Sequence, residues 1–269
     1  MAACIGSLLA LWRRDQRRYS QLTLLLALLF ALFTLLGNLA MVASLSQVHP
    51  ALTATLVQTQ VIMVIVGELI FLGGRLSRGI VLGGLLGLLG FVVLQEPWRG
   101  SWQGPVWWGA LWALVAAACF STMLLVTKAV IQRVDIFGLN MLRLWLAALI
   151  LGCWPGALEG ALAFSPWLWL LALLAGLAGP TLGRLHLMLA VRHISASQAK
   201  LITLSTPAFA LVMGWLAFAD WPTSSQLLGG GIILAGVALP LWELWRRHRQ
   251  SLVVDLAAVD GVQADAEGR

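Results

Sequence analysis

Charged side chains are scarce in this sequence, and their scarcity excludes a water-soluble class. Of its 269 residues only 10% are charged and 60% are hydrophobic, and the mean hydropathy is +0.91. Soluble domains carry about 25% charged residues. From residue 21 to residue 67 there is no charged side chain at all, which suits two membrane spans of about 20 residues each. The composition therefore predicts an integral membrane protein.

Cysteines, histidines and paired acids are also too few and scattered to indicate catalytic or metal chemistry. Cys4, Cys119 and Cys153 lie far apart in apolar sequence, and we predict buried free thiols. The histidines are dispersed, no two carboxylates lie at helical spacing within a span, and there is no phosphate-binding loop. We therefore predict no enzymatic activity, no cofactor and no metal.

The apolar segments predict an all-α, polytopic membrane protein with eight full spans and an N-terminal stub. Prolines, glycines and charged clusters separate the segments, since these residues end helices. The stub, residues 1–12, is about half a span long. Its basic cluster follows the apolar stretch, whereas a secretory signal has its positive residues first. The predicted spans are 21–44, 50–72, 79–95, 105–127, 137–157, 166–190, 196–219 and 224–244.

The loop charges predict the orientation in the membrane. Almost all Lys and Arg side chains fall in alternate loops on one side, while Arg99 stands alone on the other. The basic side is cytoplasmic by the positive-inside rule. We expect a bacterial cytoplasmic (inner) membrane, with a cytoplasmic, disordered tail at residues 246–269. Because the basic residues lie at helix ends, the net charge of +6 does not indicate a nucleic-acid partner. An interfacial belt is predicted on the opposite side from Trp98, Trp102, Trp107, Trp154, Trp167 and Trp221.

One helix-pair unit occurs twice in the chain. A shift of 146 residues lays 48–93 on 194–239 without a gap, so that Gly83 meets Gly229 and Gly90 meets Gly236. The predicted orientation makes the two copies run in opposite directions. We therefore predict inverted repeats over residues 1–96 and 105–245, an architecture typical of secondary transporters with a substrate site near the midplane.

The second copy carries a further set of residues at distinctive places. Arg143 lies in the second helix of that copy, Pro207 within its fourth, Asp220 at the following turn, and Gly229 and Gly236 in its fifth. In these positions the chain resembles the EamA-type transporters of the drug/metabolite transporter superfamily. The resemblance implies two inverted five-helix repeats and transport of a small solute.

The first copy departs from that family pattern. Val61 stands in place of the proline and Gly74 in place of the acidic turn residue, although Arg75 matches the arginine beside it. The first helix and most of the second are absent, so we predict a truncated first repeat. We hypothesise that the true start codon lies upstream of Met1, which the intact mass of the native protein would test.

Cations inside the predicted spans are candidates for the substrate site, because charge in lipid is costly and usually faces a cavity or a partner. Arg143, Arg184 and Lys200 all lie five to nine residues from cytoplasmic helix ends. They could instead extend their charges to the headgroups. If they converge, the cavity suits an anion or the carboxylate of a zwitterion.

Uncharged polar residues at similar depth extend the candidate substrate lining. They occur in both copies, although hydrogen bonds between helices are the alternative explanation. We expect a polar midplane lining formed by Gln58, Gln60, Asn38, Thr203 and Thr206.

Two further residues have predicted roles in the transport cycle. Glu68 is a candidate proton-coupling carboxylate or counter-ion to Arg143 or Arg184; alternatively it pairs with Arg75 or a lipid headgroup. Pro207 is a candidate hinge, because proline removes one backbone hydrogen bond from its helix.

Together these features predict a secondary transporter that moves a small metabolite or drug-like solute by alternating access. Two other classes stay open: a transport-inactive structural or assembly protein or fragment, and a multi-spanning membrane enzyme. The expected partners are the lipid bilayer and a small, anionic or zwitterionic substrate. A homodimer also stays open.

Overall fold

Every regular element of this computed structural model is helical within the residues that it describes, which are 21–73, 77–96, 106–156, 165–218, 221 and 223–267. Of residues 247–267 only the backbone is described. A π-helical segment, Leu177–Gly183, lies between α7 and α8. The helices are α1 (Gln21–Leu45), α2 (Pro50–Gln58), α3 (Gln60–Phe71), α4 (Arg78–Gln95), α5 (Val106–Val130), α6 (Ile136–Gly152), α7 (Pro166–Gly176), α8 (Arg184–Ala190), α9 (Ala196–Leu204), α10 (Thr206–Phe218) and α11 (Ser224–Glu267).

The helices confirm an all-α, polytopic membrane protein. In the described part of the chain, six helical segments are long and apolar enough to cross a membrane. They correspond to six of the eight predicted spans. The predicted span 137–157 is the shorter helix α6, of 17 residues, and the span 196–219 is divided at Ser205 into α9 and α10. The N-terminal stub lies outside the described residues.

Large apolar side chains cover the outer faces of these helices. Leu25 is 67% exposed and Phe71 is 79% exposed, and many further leucines on α1, α3 and α4 are exposed as well. Water would not tolerate so extensive an apolar surface, whereas lipid does. Four predicted belt residues, Trp107, Trp154, Trp167 and Trp221, are exposed at or just beyond helix ends; Trp98 and Trp102 lie outside the described residues.

Local sequence explains where several helices begin. The Asp135 carboxylate accepts hydrogen bonds from Phe137 N and Gly138 N, and so caps α6. At the start of α9, Ser195 and Gln198 each accept a bond from the other's backbone N–H, the reciprocal arrangement of a capping box. The side chain of Gln226 and the hydroxyl of Thr223 do the same at α11.

Two sequence expectations need correction. The tail predicted to be disordered from residue 246 is helical, because α11 continues to Glu267 through a segment that contains no proline. Cys153 was predicted to be buried but is exposed just after α6, whereas Cys119 is a buried free thiol as expected. Cys4 and the acidic turn residue Asp220 lie outside the described residues.

The chain forms two compact units that do not follow the two sequence halves. The first unit contains residues 1–74 and 95–200, and the second contains 75–94 and 201–269. In the first unit, Phe30 of α1, Met123 of α5 and Leu139 of α6 are buried in one apolar core. Each unit therefore combines helices from both halves of the chain.

Close backbone contact between α4 and α11 characterises the second unit. A Cβ atom added at Gly229 would lie 2.5 Å from Leu94 N and 2.6 Å from Gly90 O. A Cβ added at Gly236 would lie 2.7 Å from Gly83 O. The glycines shared by the two copies therefore serve as small residues that let two membrane helices touch along their backbones.

Gly229→Ala is expected to destabilise the second unit, because its new methyl group clashes with backbone atoms, which cannot move away as a flexible side chain could. The overpacking should cost about 1–3 kcal/mol. Gly231→Ala is the matched control on the same helix, since nothing lies within 4 Å of its added Cβ. Thermal unfolding in detergent should give a lower midpoint for the first variant only. Equal midpoints would contradict the backbone contact.

Candidate functional site

Arg143 is buried in the first unit and hydrogen-bonded to polar neighbours. It is 1% exposed and is the largest fully buried side chain in the described chain. Its Nη1 donates to Thr34 Oγ1 on α1 at 3.0 Å, and its Nη2 donates to Asn140 Oδ1 on α6 at 2.8 Å. The guanidinium therefore joins α6 to α1 and does not extend to the headgroups.

Arg184 follows an irregular stretch of backbone. Its N–H bonds to Gly179 O, five residues earlier, and Thr181 Oγ1 donates to Gly176 O at 2.8 Å. Such π-helical turns often occur at functional sites because the extra residue re-aims the side chains that follow. The half-buried Arg184 side chain lies with its Cζ 5.3 Å from the Phe120 ring centroid, a cation–π contact.

Lys200 completes the group of predicted cations in the first unit. It is half-buried on α9. Arg143, Arg184 and Lys200 therefore lie on three helices, α6, α8 and α9, and all three belong to the first unit. An arrangement of three cations within apolar helices attracts an anion, which would relieve their mutual repulsion.

Glu68 is on α3, and its side chain contacts the beginning of α9. It is buried, and its carboxylate accepts hydrogen bonds from Ala196 N at 3.0 Å, Ser197 N at 2.8 Å and Ser197 Oγ at 2.5 Å. These contacts differ from the predicted ones with Arg143, Arg184 or a headgroup; Arg75 lies outside the described residues. The carboxylate therefore satisfies the free N–H groups at a helix N-terminus, where negative charge is favoured.

Lys128 binds the other end of the same turn. Its Nζ donates to Val191 O at 2.7 Å and to Ile194 O at 2.8 Å, just after α8 ends at Ala190. Carbonyl groups at a helix C-terminus favour a cation. The turn from Val191 to Ser197 is therefore held by a cation at its start and by an anion at its end.

The uncharged candidates of the first copy occupy several environments. Gln60 is buried, and its Nε2 donates to Gln58 Oε1 at 3.2 Å, while its carbonyl accepts from Ser121 Oγ. Asn38 is exposed and donates to Thr34 O at 2.7 Å.

The remaining candidates, Thr203, Thr206 and Pro207, lie in the second unit. Thr203 and Pro207 are half-buried, and Thr206 is exposed. The helix break beside Pro207 falls at Ser205, which lies between the end of α9 at Leu204 and the start of α10 at Thr206. The proline therefore lies two residues after the interruption.

The same break occurs in the first copy without a proline. Thr59 separates α2 from α3 and is the residue that the 146-residue shift lays on Ser205. Thr59 Oγ1 donates to Leu56 O, and Ser205 Oγ donates to Ile202 O, each at 2.6 Å. Both backbone N–H groups bond to the same carbonyls at 3.1 Å. A hydroxyl residue, common to both copies, thus marks the interruption, and Val61 in place of proline does not remove it.

The second unit also contains an apolar cavity of about 410 Å³ between α10 and α11. Trp215 and Trp221, whose ring centroids are 5.3 Å apart, line it, and Gln226 contributes polar atoms. None of the predicted site residues lines this cavity, and its walls offer no charge to a polar solute.

Several residues that contact the predicted site residues or the turn between α8 and α9 were not predicted from the sequence. Thr34 lies one helical turn before Asn38, so its position on the same face could have been inferred from the helical period. Lys128 directly follows the predicted span 105–127, so the sequence predicts a loop position for it, whereas in the structure it lies within α5. Phe120 and Ser197 carry no signal of their own, since only the packing of distant helices gives them a role.

Comparison with known proteins gives consistent results. The profile of the EamA-like transporter family matches residues 1–95 and 107–242. A riboflavin transporter from Rhizobium johnstonii is 26% identical over 232 residues, which cover 80% of this chain and 69% of that protein. An uncharacterized transporter from Archaeoglobus fulgidus is 22% identical over 212 residues, covering 78% of this chain and 73% of that protein. A crystal structure at 20% identity has a TM-score of 0.72 over 88% of this chain and 84% of its own, which shows a shared fold.

Thr34→Val should destabilise the first unit, because it removes the oxygen that accepts from buried Arg143. Leaving a buried charged donor without that partner costs about 1–3 kcal/mol. Thr55→Val is the matched control, since Thr55 Oγ1 bonds only to Ala51 O of its own helix in the described contacts. Thermal unfolding in detergent measures both. A midpoint that falls equally in the two variants would contradict the role assigned to Thr34.

Proposed function

Because this chain belongs to the EamA-like transporter family, we propose that it carries a small organic anion or zwitterion across the membrane by alternating access. The family and the names of its relatives indicate a membrane transporter with a small-molecule substrate in a lipid environment. The observation that supports a negatively charged substrate is the presence of three cations within apolar helices of one unit: Arg143, Arg184 and Lys200. We call these three residues the cationic group.

The energetics of buried charge support an anionic ligand. A cation inside a membrane span is costly and is retained where it has a partner or a function. Arg143 uses two of its nitrogens to bind Thr34 and Asn140, so its role is to anchor the site. Arg184 and Lys200 are half-buried and more accessible. We assign the contact with the carboxylate or phosphate of the substrate to these two residues.

The paired helix breaks support alternating access between two related copies. Each copy has one interrupted helix, at Thr59 or at Ser205, with the same hydroxyl-to-carbonyl bond. An interrupted membrane helix can bend where its backbone bonds are already incomplete. The hinge of the second copy is accordingly assigned to Ser205 together with Pro207. The two separate family matches also support the proposed inverted repeats.

The loop charges support the orientation proposed for the protein. The basic side of the helices, which includes Arg78, Arg133 and Arg192, is the cytoplasmic side of a bacterial inner membrane. The C-terminus then lies in the cytoplasm. Thiol labelling of single cysteines introduced at Arg133 and at Trp154, in intact cells, distinguishes the two sides.

The relative from Rhizobium johnstonii suggests a specific pair of probes. The substrate in that relative's name, riboflavin, is uncharged at neutral pH, whereas riboflavin 5′-phosphate has the same ring system and about two negative charges. Flux of the two compounds in proteoliposomes therefore separates recognition of the ring from recognition of the charge. Because of the cationic group, we expect faster flux of riboflavin 5′-phosphate. Faster flux of riboflavin would instead indicate an uncharged substrate.

Arg184→Ala should reduce uptake of the transported anion by at least about tenfold, because a charge-assisted hydrogen bond contributes roughly 1.5–3 kcal/mol. Arg133→Ala is the matched control, since Arg133 is exposed in the turn after α5. Arg184→Lys keeps the charge and should retain part of the uptake. Flux is measured in proteoliposomes that hold equal amounts of each variant. Uptake that Arg184→Ala leaves unchanged would overturn the cationic site.

A further inference from the structure

The turn between α8 and α9 is bound at both ends by side chains from other helices. Lys128 of α5 donates to Val191 O and Ile194 O, and Glu68 of α3 accepts from Ala196 N and Ser197 N. All of these residues belong to the first unit. The described contacts of Lys128 and Glu68 are with the turn, not with each other. We call this arrangement the turn clamp.

The turn clamp lies between two cations of the proposed site. Arg184 is the first residue of α8, which ends one residue before the turn, and Lys200 is on α9, which begins within it. Both residues are half-buried cations of the first unit, and like charges repel each other. The connection between α8 and α9 is short, so the direction of each helix depends on how this connection is held. An external anchor on each side of the turn would fix their separation.

We propose that Glu68 and Lys128 are positioning residues that hold Arg184 and Lys200 at the separation at which both contact one anionic group of the substrate. This inference rests on the proposed function and assigns to the clamp a role in substrate affinity. Neither residue contacts the substrate. Each acts through the backbone of the turn.

The chemistry of the clamp suits a fixed anchor. Glu68 is 5% exposed, and its two oxygens accept three hydrogen bonds from α9. Lys128 Nζ binds two carbonyl oxygens at short distance. Each charge also faces the helix end of opposite partial charge, which strengthens both contacts in a medium of low dielectric constant. Amide or hydroxyl groups at these positions would hold the turn less firmly.

Affinity for inorganic phosphate tests the positioning role. The full chain, purified in detergent, is titrated with phosphate at constant ionic strength, and binding is followed by the rise in unfolding temperature. Glu68→Gln and Lys128→Met should each raise the apparent Kd at least tenfold. Arg192→Gln is the matched control, because Arg192 is an exposed cation in the same turn, and it should leave the Kd unchanged. Lys128→Arg should restore affinity, since it returns a donor cation.

The unfolding temperature without phosphate separates affinity from stability. A purely structural role would lower that temperature and leave the Kd as in the wild type, which would overturn the inference. The double variant should weaken binding by less than the product of the two single effects, because both residues hold one turn. Arg184→Ala is titrated in parallel. If Arg184→Ala abolishes phosphate binding while the clamp variants bind normally, the positioning role alone fails. If the wild type does not bind phosphate, or if Arg184→Ala binds it as tightly as the wild type does, the cationic site fails and the inference with it.

Discussion

Positive charge held among apolar helices is the constraint on which the rest of this structure depends. Arg143 is almost completely enclosed, and it is tolerated because Thr34 and Asn140 receive its donors. The bond to Thr34 joins α6 to α1, and the bond to Asn140 holds the guanidinium against its own helix. Arg184 and Lys200 add two half-buried positive charges to the same unit.

Glu68 and Lys128, the two charged residues that hold the turn between α8 and α9, bind backbone groups. Glu68 serves the start of α9, and Lys128 serves the carbonyls beyond α8. In the proposed function, an anionic substrate contacts Arg184 and Lys200 and neutralises their charge. The two helix breaks are the proposed points of movement. Because a hydroxyl residue forms each break, the first copy retains its interruption although it has lost the proline.

Most of the fold follows from the sequence, whereas the site follows only in part. Apolar run length predicts the spans, since lipid demands helices of a fixed minimum length. The pattern also identifies Arg143, Arg184 and Lys200 as polar residues in costly positions. It does not identify their neighbours, because Thr34 and Arg143 are 109 residues apart and Glu68 and Ser197 are 129 apart. The rotation of one helix against another decides such pairs, and side-chain periodicity leaves that rotation undetermined. The sequence also does not predict the break at Thr59. Proline is the expected helix breaker, and a threonine that bonds to its own backbone is compatible with a regular helix.

A crystal structure with bound selenate would test the central claim most directly, because selenium scatters anomalously and so locates the anion without interpretation of its shape. The account predicts an anomalous peak within hydrogen-bond distance of both Arg184 and Lys200, in the interior of the membrane-spanning region. Peaks confined to the exposed arginines at the helix ends, with none beside Arg184 and Lys200, would contradict it.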